Sequence, residues 1–215
     1  MSRLVEGIME TLFPGRCVFC RRFLRKGESV ICAECETKLP RRSPERTPGP
    51  EFVEAIVAPL EYTDAVRRAM ERYKFGGATA YAGYFGRLVA ESVRANLAGE
   101  YDFISWVPLS KERLTERGYD QAMLIAMAAA LELGDVAVET LRRTRNAAPQ
   151  SHLSGDEDRR ANISGAFAVT DPELVAGKRV LLIDDIATSG STASECARVL
   201  GLAGAAEVYC GVVAN

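Results

Sequence analysis

Two adjacent carboxylates, Asp184 and Asp185, follow the apolar run Val180-Leu-Leu-Ile183, and Ala187, Thr188, Ser189, Gly190, Ser191 and Thr192 come directly after them. Four apolar residues bury a strand, so the acids emerge at its C-terminal end and the small hydroxyl-rich turn opens the next helix. Ligands of open α/β sheets bind at that edge. Helix-start amides, a Gly that lets the backbone approach, and several hydroxyls together suit a phosphate monoester. The paired acids suit a diol such as a ribose. A Walker A loop is excluded, because the Gly-Lys-Ser/Thr ending is missing. The same residues also read as a plain strand-turn-helix connection in which Thr192 and Glu195 form a capping box.

Four of the six cysteines make a second constellation: Cys17-Val-Phe-Cys20, eleven residues, then Cys32-Ala-Glu-Cys35. Two such knuckles can converge four thiolates on one tetrahedral ion, for which zinc is the expected metal. A module this small builds little core, and structural zinc supplies about 10–16 kcal/mol of apparent folding free energy. A disulfide framework suits an oxidising compartment instead, and a redox CxxC needs only one pair at a strand-to-helix turn. Phe19 and Phe23 either pack beneath the knuckles or help them touch nucleic acid. Cys196 and Cys210 fall on a core helix and the last strand, where a buried thiol is ordinary filler.

Charge is distributed unevenly around these sites. Residues 14–50 carry nine basic groups against four acidic ones, a net +5 in a chain whose total is −2. A basic front end ahead of an acidic body fits an anionic partner, and equally a solvated surface. With 47% apolar and 26% charged residues the composition is that of an ordinary globular protein. No apolar run approaches a membrane span, and MSRLVEGIMETLF lacks the features of a secretory signal, so a cytoplasmic protein is expected.

The elements that must position these groups follow from periodicity. Leu4, Val5, Ile8, Met9, Leu12 and Phe13 recur at helical spacing, and Pro40–Pro50, with four prolines, reads as a linker. Strands are expected at Ala55–Tyr62, Phe103–Val107, Arg179–Ile183 and Val208–Ala214, with an extended segment at Val136–Leu141. Helices are expected from Asp64 to Gly76-Gly77, over Tyr81–Asn96, Tyr119–Leu133 and Ser191–Leu202. The alternation gives an α/β fold with a parallel sheet. Residues 1–50 form an N-terminal helix, cysteine module and linker, and residues 51–215 the α/β domain. Arg142–Ser164 is too long and polar for an ordinary connection.

The run Val180–Thr192 resembles the phosphoribosyl pyrophosphate (PRPP) motif of type I phosphoribosyltransferases. Upstream stand Trp106-Val-Pro-Leu-Ser110, Arg113, Arg117-Gly-Tyr-Asp-Gln121, Arg143, Gln150, Leu153, Arg159, Asn162 and Phe167. With the cysteine knuckles and Tyr73-Lys-Phe-Gly-Gly77, these residues are similar to the ComF (ComFC-like) family of competence proteins over nearly the whole chain. That family usually has Phe-Asn where Tyr119 and Asp120 stand here, so Asp120 exchanges an amide for a charge; Ser189 replaces a common Thr.

The resemblance implies a type I phosphoribosyltransferase-like parallel sheet with helices on both faces, preceded by the zinc module. It further implies PRPP with Mg²⁺ as ligands and a role in DNA uptake and natural transformation. Asp184 and Asp185 would hold the ribose 2- and 3-hydroxyls, Ala187–Thr192 the 5-phosphate, and backbone at Leu109 and Ser110 the pyrophosphate, with Arg113 and Arg117 as counter-charges. Arg143, Gln150 and Arg159 are candidates in a hood over PRPP, while His152 reads as an inert loop residue and Lys74 as a cation complementing a helix C-terminus. The rival expectation is a non-catalytic PRPP-sensing scaffold whose zinc module binds single-stranded DNA or a competence DNA-processing protein. Oligomeric state is open between monomer and homodimer.

Overall fold

The computed structural model describes residues 15–43, 45–75, 79–144 and 163–215. Its main sheet has the order β1 (Thr47–Pro48), β2 (Ala55–Val57), β7 (Glu207–Ala214), β6 (Arg179–Ile186), β3 (Phe103–Trp106). All neighbours are parallel except the β1/β2 pair at the edge. β6 and β7 are central, and their residues 180–183 and 208–214 are buried because both faces are covered. Leu181 and Ile183 point into one core and Val180 and Leu182 into the other, as the period of two requires.

The first core lies under α2 (Asp64–Phe75), α3 (Tyr81–Asn96) and α5 (Gln121–Leu133), and the second under α7 (Ser191–Leu202) and the ribbon of β4 (Leu141–Arg143) with β5 (Phe167–Val169). Helices on both faces of a mostly parallel sheet match the expected fold class. Among the described residues no helix is long and apolar enough to cross a membrane.

Several boundaries differ from the sequence expectation, each for a local reason. The strand expected over Ala55–Tyr62 pairs continuously only through Val57, and after Pro59, which has no N–H to give, Leu60 makes two isolated bridges, with Arg41 and with Ala214. The Pro40–Pro50 linker contains β1, whose proline is tolerated at a sheet edge. The helix expected from Tyr119 begins at Gln121, since Gly118 lies at φ 77° and Asp120 is its N-cap. Before it, Lys111–Arg117 forms α4, unforeseen in the sequence, with Ser110 as N-cap. β4 extends into the stretch read as an irregular loop, through Arg143. No capping box forms on α7: its N-cap is Gly190, and Glu195 instead accepts from the Gly165 amide at 2.7 Å and pairs with Arg198.

The cysteine knuckles rest on the body. Val18 is fully buried in the first core with Tyr73, and Arg72 donates to the Val18 and Phe19 carbonyls at 2.7–2.9 Å. The Tyr84 hydroxyl donates to Glu36 at 2.8 Å. The apolar stripe at residues 4–13, Gly76-Gly77, Gln150, His152, Leu153, Arg159 and Asn162 lie outside the described residues.

Candidate functional site

The turn after β6 folds around a small cavity. Gly190 takes φ 69°, a conformation that disfavours side chains, and a Cβ there would lie 2.9 Å from Pro50 Cγ. The chain then enters α7, twelve residues long, whose first amides have no intrahelical acceptor and converge on the turn. Asp184, Ile186, Ala187, Thr188, Ser189, Gly190, Ser191 and Thr192 line a cavity of about 40 Å³ there. The Ser189 and Ser191 hydroxyls lie 2.8 Å apart across the turn. Amides and hydroxyls around so small a volume match one tetrahedral oxyanion.

A larger cavity of about 180 Å³ adjoins it, and Asp184 and Thr192 line both. Its walls also carry Lys74, Leu109, Arg113, Arg117, Gln121, Arg143 and Asp185. Burial, reinforced by the neighbouring Asp185 charge, pushes the Asp184 carboxyl well above the usual carboxylate range. Asp185 pairs with the Lys74 ammonium, both side chains being largely buried. The two acids therefore differ in surroundings: Asp184 is buried beside another carboxylate, and Asp185 faces the Lys74 ammonium.

Two arginines in the cavity are held down in pKa by burial and by the Arg113 charge. Arg117 donates to the Gln121 carboxamide at 2.7 Å and stacks over the Phe75 ring at 4.8 Å, while its Nε is buried with no hydrogen-bond partner. Arg143 stacks over Phe167 at 5.3 Å. A guanidinium with an unused donor beside other cations is a place for an anion.

Leu109 lines the same cavity, but its amide donates inward to Asp120 Oδ2 at 2.9 Å. The other Asp120 oxygen accepts from the Met123 amide at 3.1 Å. Asp120, 8% exposed, thus ties the loop before α4 to the start of α5. The Ser110 hydroxyl is likewise occupied, accepting from the Arg113 amide at 3.3 Å as the α4 cap.

At the knuckles, the sulfurs of Cys17, Cys20, Cys32 and Cys35 all lie within 4.8 Å of one another, and those of Cys20 and Cys32 are 3.7 Å apart. A tetrahedral ion with Zn–S bonds of about 2.3 Å requires sulfur separations near ~3.8 Å, so the cluster fits a metal. The amides of Cys32 and Cys35 point at the sulfurs of Cys17 and Cys32 at 3.5 and 3.4 Å. Burial raises the Cys32 pKa, yet the Cys35 amide and the Arg22 guanidinium outweigh it and leave the thiol at about 6. Among the described residues this is the one group of three or more metal-ligating side chains close enough to share an ion.

The structure brings Asp184, Asp185, Arg113, Arg117, Arg143, Leu109 and the 187–192 turn to one continuous site. Ser110 stands beside it, as a cap. Lys74 and Gln121 belong to the site and were not assigned to it from the sequence; their presence in the Tyr73–Gly77 and Arg117–Gln121 motifs was the available signal.

Residues 120–215 match the family described as phosphoribosyl transferase domain. A Salmonella typhimurium protein named DNA utilization protein YhgH is 31% identical over 208 residues, covering 91% of this chain and 89% of the relative. Competence protein ComFC of Streptococcus pneumoniae is 28% identical over 203 residues, covering 86% and 87%. Among solved structures, a glutamine PRPP amidotransferase from B. subtilis complexed with ADP and GMP aligns with a TM-score of 0.44 at 21% identity; 63% of this chain covers 26% of that one. On its identity and coverage with these relatives, the chain belongs to the ComF/YhgH family of competence and DNA-utilization proteins, which carries a phosphoribosyltransferase domain.

Proposed function

We propose that this protein binds PRPP and acts as a cytoplasmic phosphoribosyltransferase-type enzyme in DNA uptake. One observation carries the reading: the oxyanion-sized turn, the acid pair and the cation-lined cavity are contiguous, sharing Asp184 and Thr192. PRPP presents its groups in the same order, a 5-phosphate, a 2,3-diol and a 1-pyrophosphate. The 5-phosphate takes the 187–192 turn and the α7 amides. Asp184 and Asp185 grip the diol, and Arg113 and Arg117 face the pyrophosphate.

Transfer would break the C1–O bond to pyrophosphate and form a bond from C1 to the acceptor. The sugar passes through an oxocarbenium-like state, so placement and charge matter more than a strong base. Asp185 lies on the ribose side, and the cations that line the same cavity stabilise the departing anion. Mg²⁺, when bound with PRPP, neutralises pyrophosphate charge and makes it a better leaving group.

The test is calorimetry with PRPP and Mg²⁺, followed by pyrophosphate release in the presence of a pooled metabolite or nucleic-acid extract. Wild type should bind, and Asp184→Asn with Asp185→Asn should abolish binding. No heat and no thermal stabilisation at millimolar ligand would end the reading.

The zinc module supports a second reading, a PRPP-sensing scaffold that contacts single-stranded DNA. Arg16 lies 4.0 Å over the ring of Phe23, which is 52% exposed. A guanidinium on an exposed aromatic, near Arg21, Arg25 and Lys26, offers one stacking platform and several phosphate contacts. The ion proposed for the four cysteines is structural zinc.

A further inference from the structure

Lys74 stands in the last turn of α2, where a cation would ordinarily complement the helix dipole. Its ammonium instead lies against Asp185 Oδ2, on the wall of the larger cavity, with the side chain 24% exposed. The backbone that carries it is fixed. The neighbouring Tyr73 is fully buried, its hydroxyl donates to the Gln121 carbonyl at 3.0 Å, and its own carbonyl accepts from the Tyr119 hydroxyl. Only the flexible four-carbon stem of Lys74 is left to respond to a ligand.

The charges around the cavity do not balance. Lys74, Arg113, Arg117 and Arg143 line it against the two carboxylates, and Asp184 resists ionisation. The surplus is positive and lies away from the turn that suits a 5-phosphate. It is the complement of a second, multiply charged anion. A ribose diol arriving at Asp185 supplies hydroxyl donors to the carboxylate that Lys74 now occupies, which frees the ammonium for that anion.

Resting on the PRPP reading above, we propose that Lys74 is a specificity-determining residue, held on Asp185 in the free protein and turned to the 1-pyrophosphate when PRPP binds. It therefore selects PRPP over ribose 5-phosphate, which has the diol and the 5-phosphate but no second anion.

Isothermal titration of PRPP and of ribose 5-phosphate, each with Mg²⁺, into wild type, Lys74→Met and Lys74→Arg tests this. Lys74→Met should weaken PRPP roughly 10- to 100-fold, the loss of one charge-assisted contact, and change ribose 5-phosphate by less than about threefold. Lys74→Arg should recover most of the PRPP affinity. If Lys74→Met melts early, Lys74→Gln, which keeps a polar head beside Asp185, should show the same split. Equal losses for both ligands would mean that Lys74 only props Asp185, and unchanged PRPP affinity would mean that it does not reach the pyrophosphate; either overturns the inference and spares the PRPP reading. Wild type that fails to bind PRPP overturns both.

Discussion

Burial holds the Asp184 carboxyl up in pKa, with the Asp185 charge adding to the shift. A carboxyl whose folded pKa exceeds its unfolded one, about 3.9, contributes most to stability below the unfolded value and loses that contribution as pH rises through the folded value. Asp184→Asn keeps the oxygen that accepts from the Asp185 amide at 2.7 Å and cannot ionise. Ligand-free Asp184→Asn should therefore unfold at higher urea than wild type above the folded pKa, with the gap closing toward pH 4. A gap that is absent, or that widens in acid, would show that Asp184 is already ionised without cost. The acids were legible because they are adjacent in sequence. Lys74 was not legible, since only folding brings the end of α2, and with it the ammonium, to Asp185 on β6. Asp120 reads in sequence as a stray charge, and it is folding that gives each of its oxygens an amide.

At the scale of elements, the long strands and helices follow their apolar periods, whereas α4 does not, because KERLTER has no apolar stripe and buries no residue. Its ends were readable all the same, in Ser110 and Gly118. The edge strand β1 was hidden by its own proline and those around it, and one consequence reaches the site: Pro50, just beyond it, packs on Gly190. The 187–192 turn is thus backed by a segment that reads in sequence as a linker. Replacing Gly190 by Val meets two penalties, a side chain at φ 69° and a Cβ too close to Pro50. Strain of this kind costs about 1–3 kcal/mol. Urea unfolding should show a loss of that order, and ribose 5-phosphate should no longer stabilise the variant. Full stabilisation by ribose 5-phosphate would move the phosphate site elsewhere.

At the scale of the molecule, the cysteine knuckles and the body are joined through Arg72 and Val18. Glu28 braces the knuckles from within, accepting from the Arg25 and Ala33 amides and pairing with Arg22 at 2.6 Å. Arg22 is thus a structural group, which leaves Arg16, Arg21, Phe23, Arg25 and Lys26 for the proposed nucleic-acid contact. Four thiols packed this closely cannot all ionise without a cation, so the metal should be what closes the module. Purified protein should carry about one zinc per chain. Cys32→Ser should lose it, raise amide exchange across residues 15–43, and also expose the end of α2, because the carbonyls that Arg72 binds and the Val18 side chain lie between Cys17 and Cys20, which the same ion would hold. If the module contacts single-stranded DNA, an oligonucleotide should bind wild type with a steep salt dependence, weaken with Phe23→Ala plus Arg25→Glu, and fail to bind Cys32→Ser. Oligonucleotide affinity equal in wild type and both variants would remove the knuckles from any DNA contact. Metal-free protein with residues 15–43 fully protected from exchange would remove zinc from the fold.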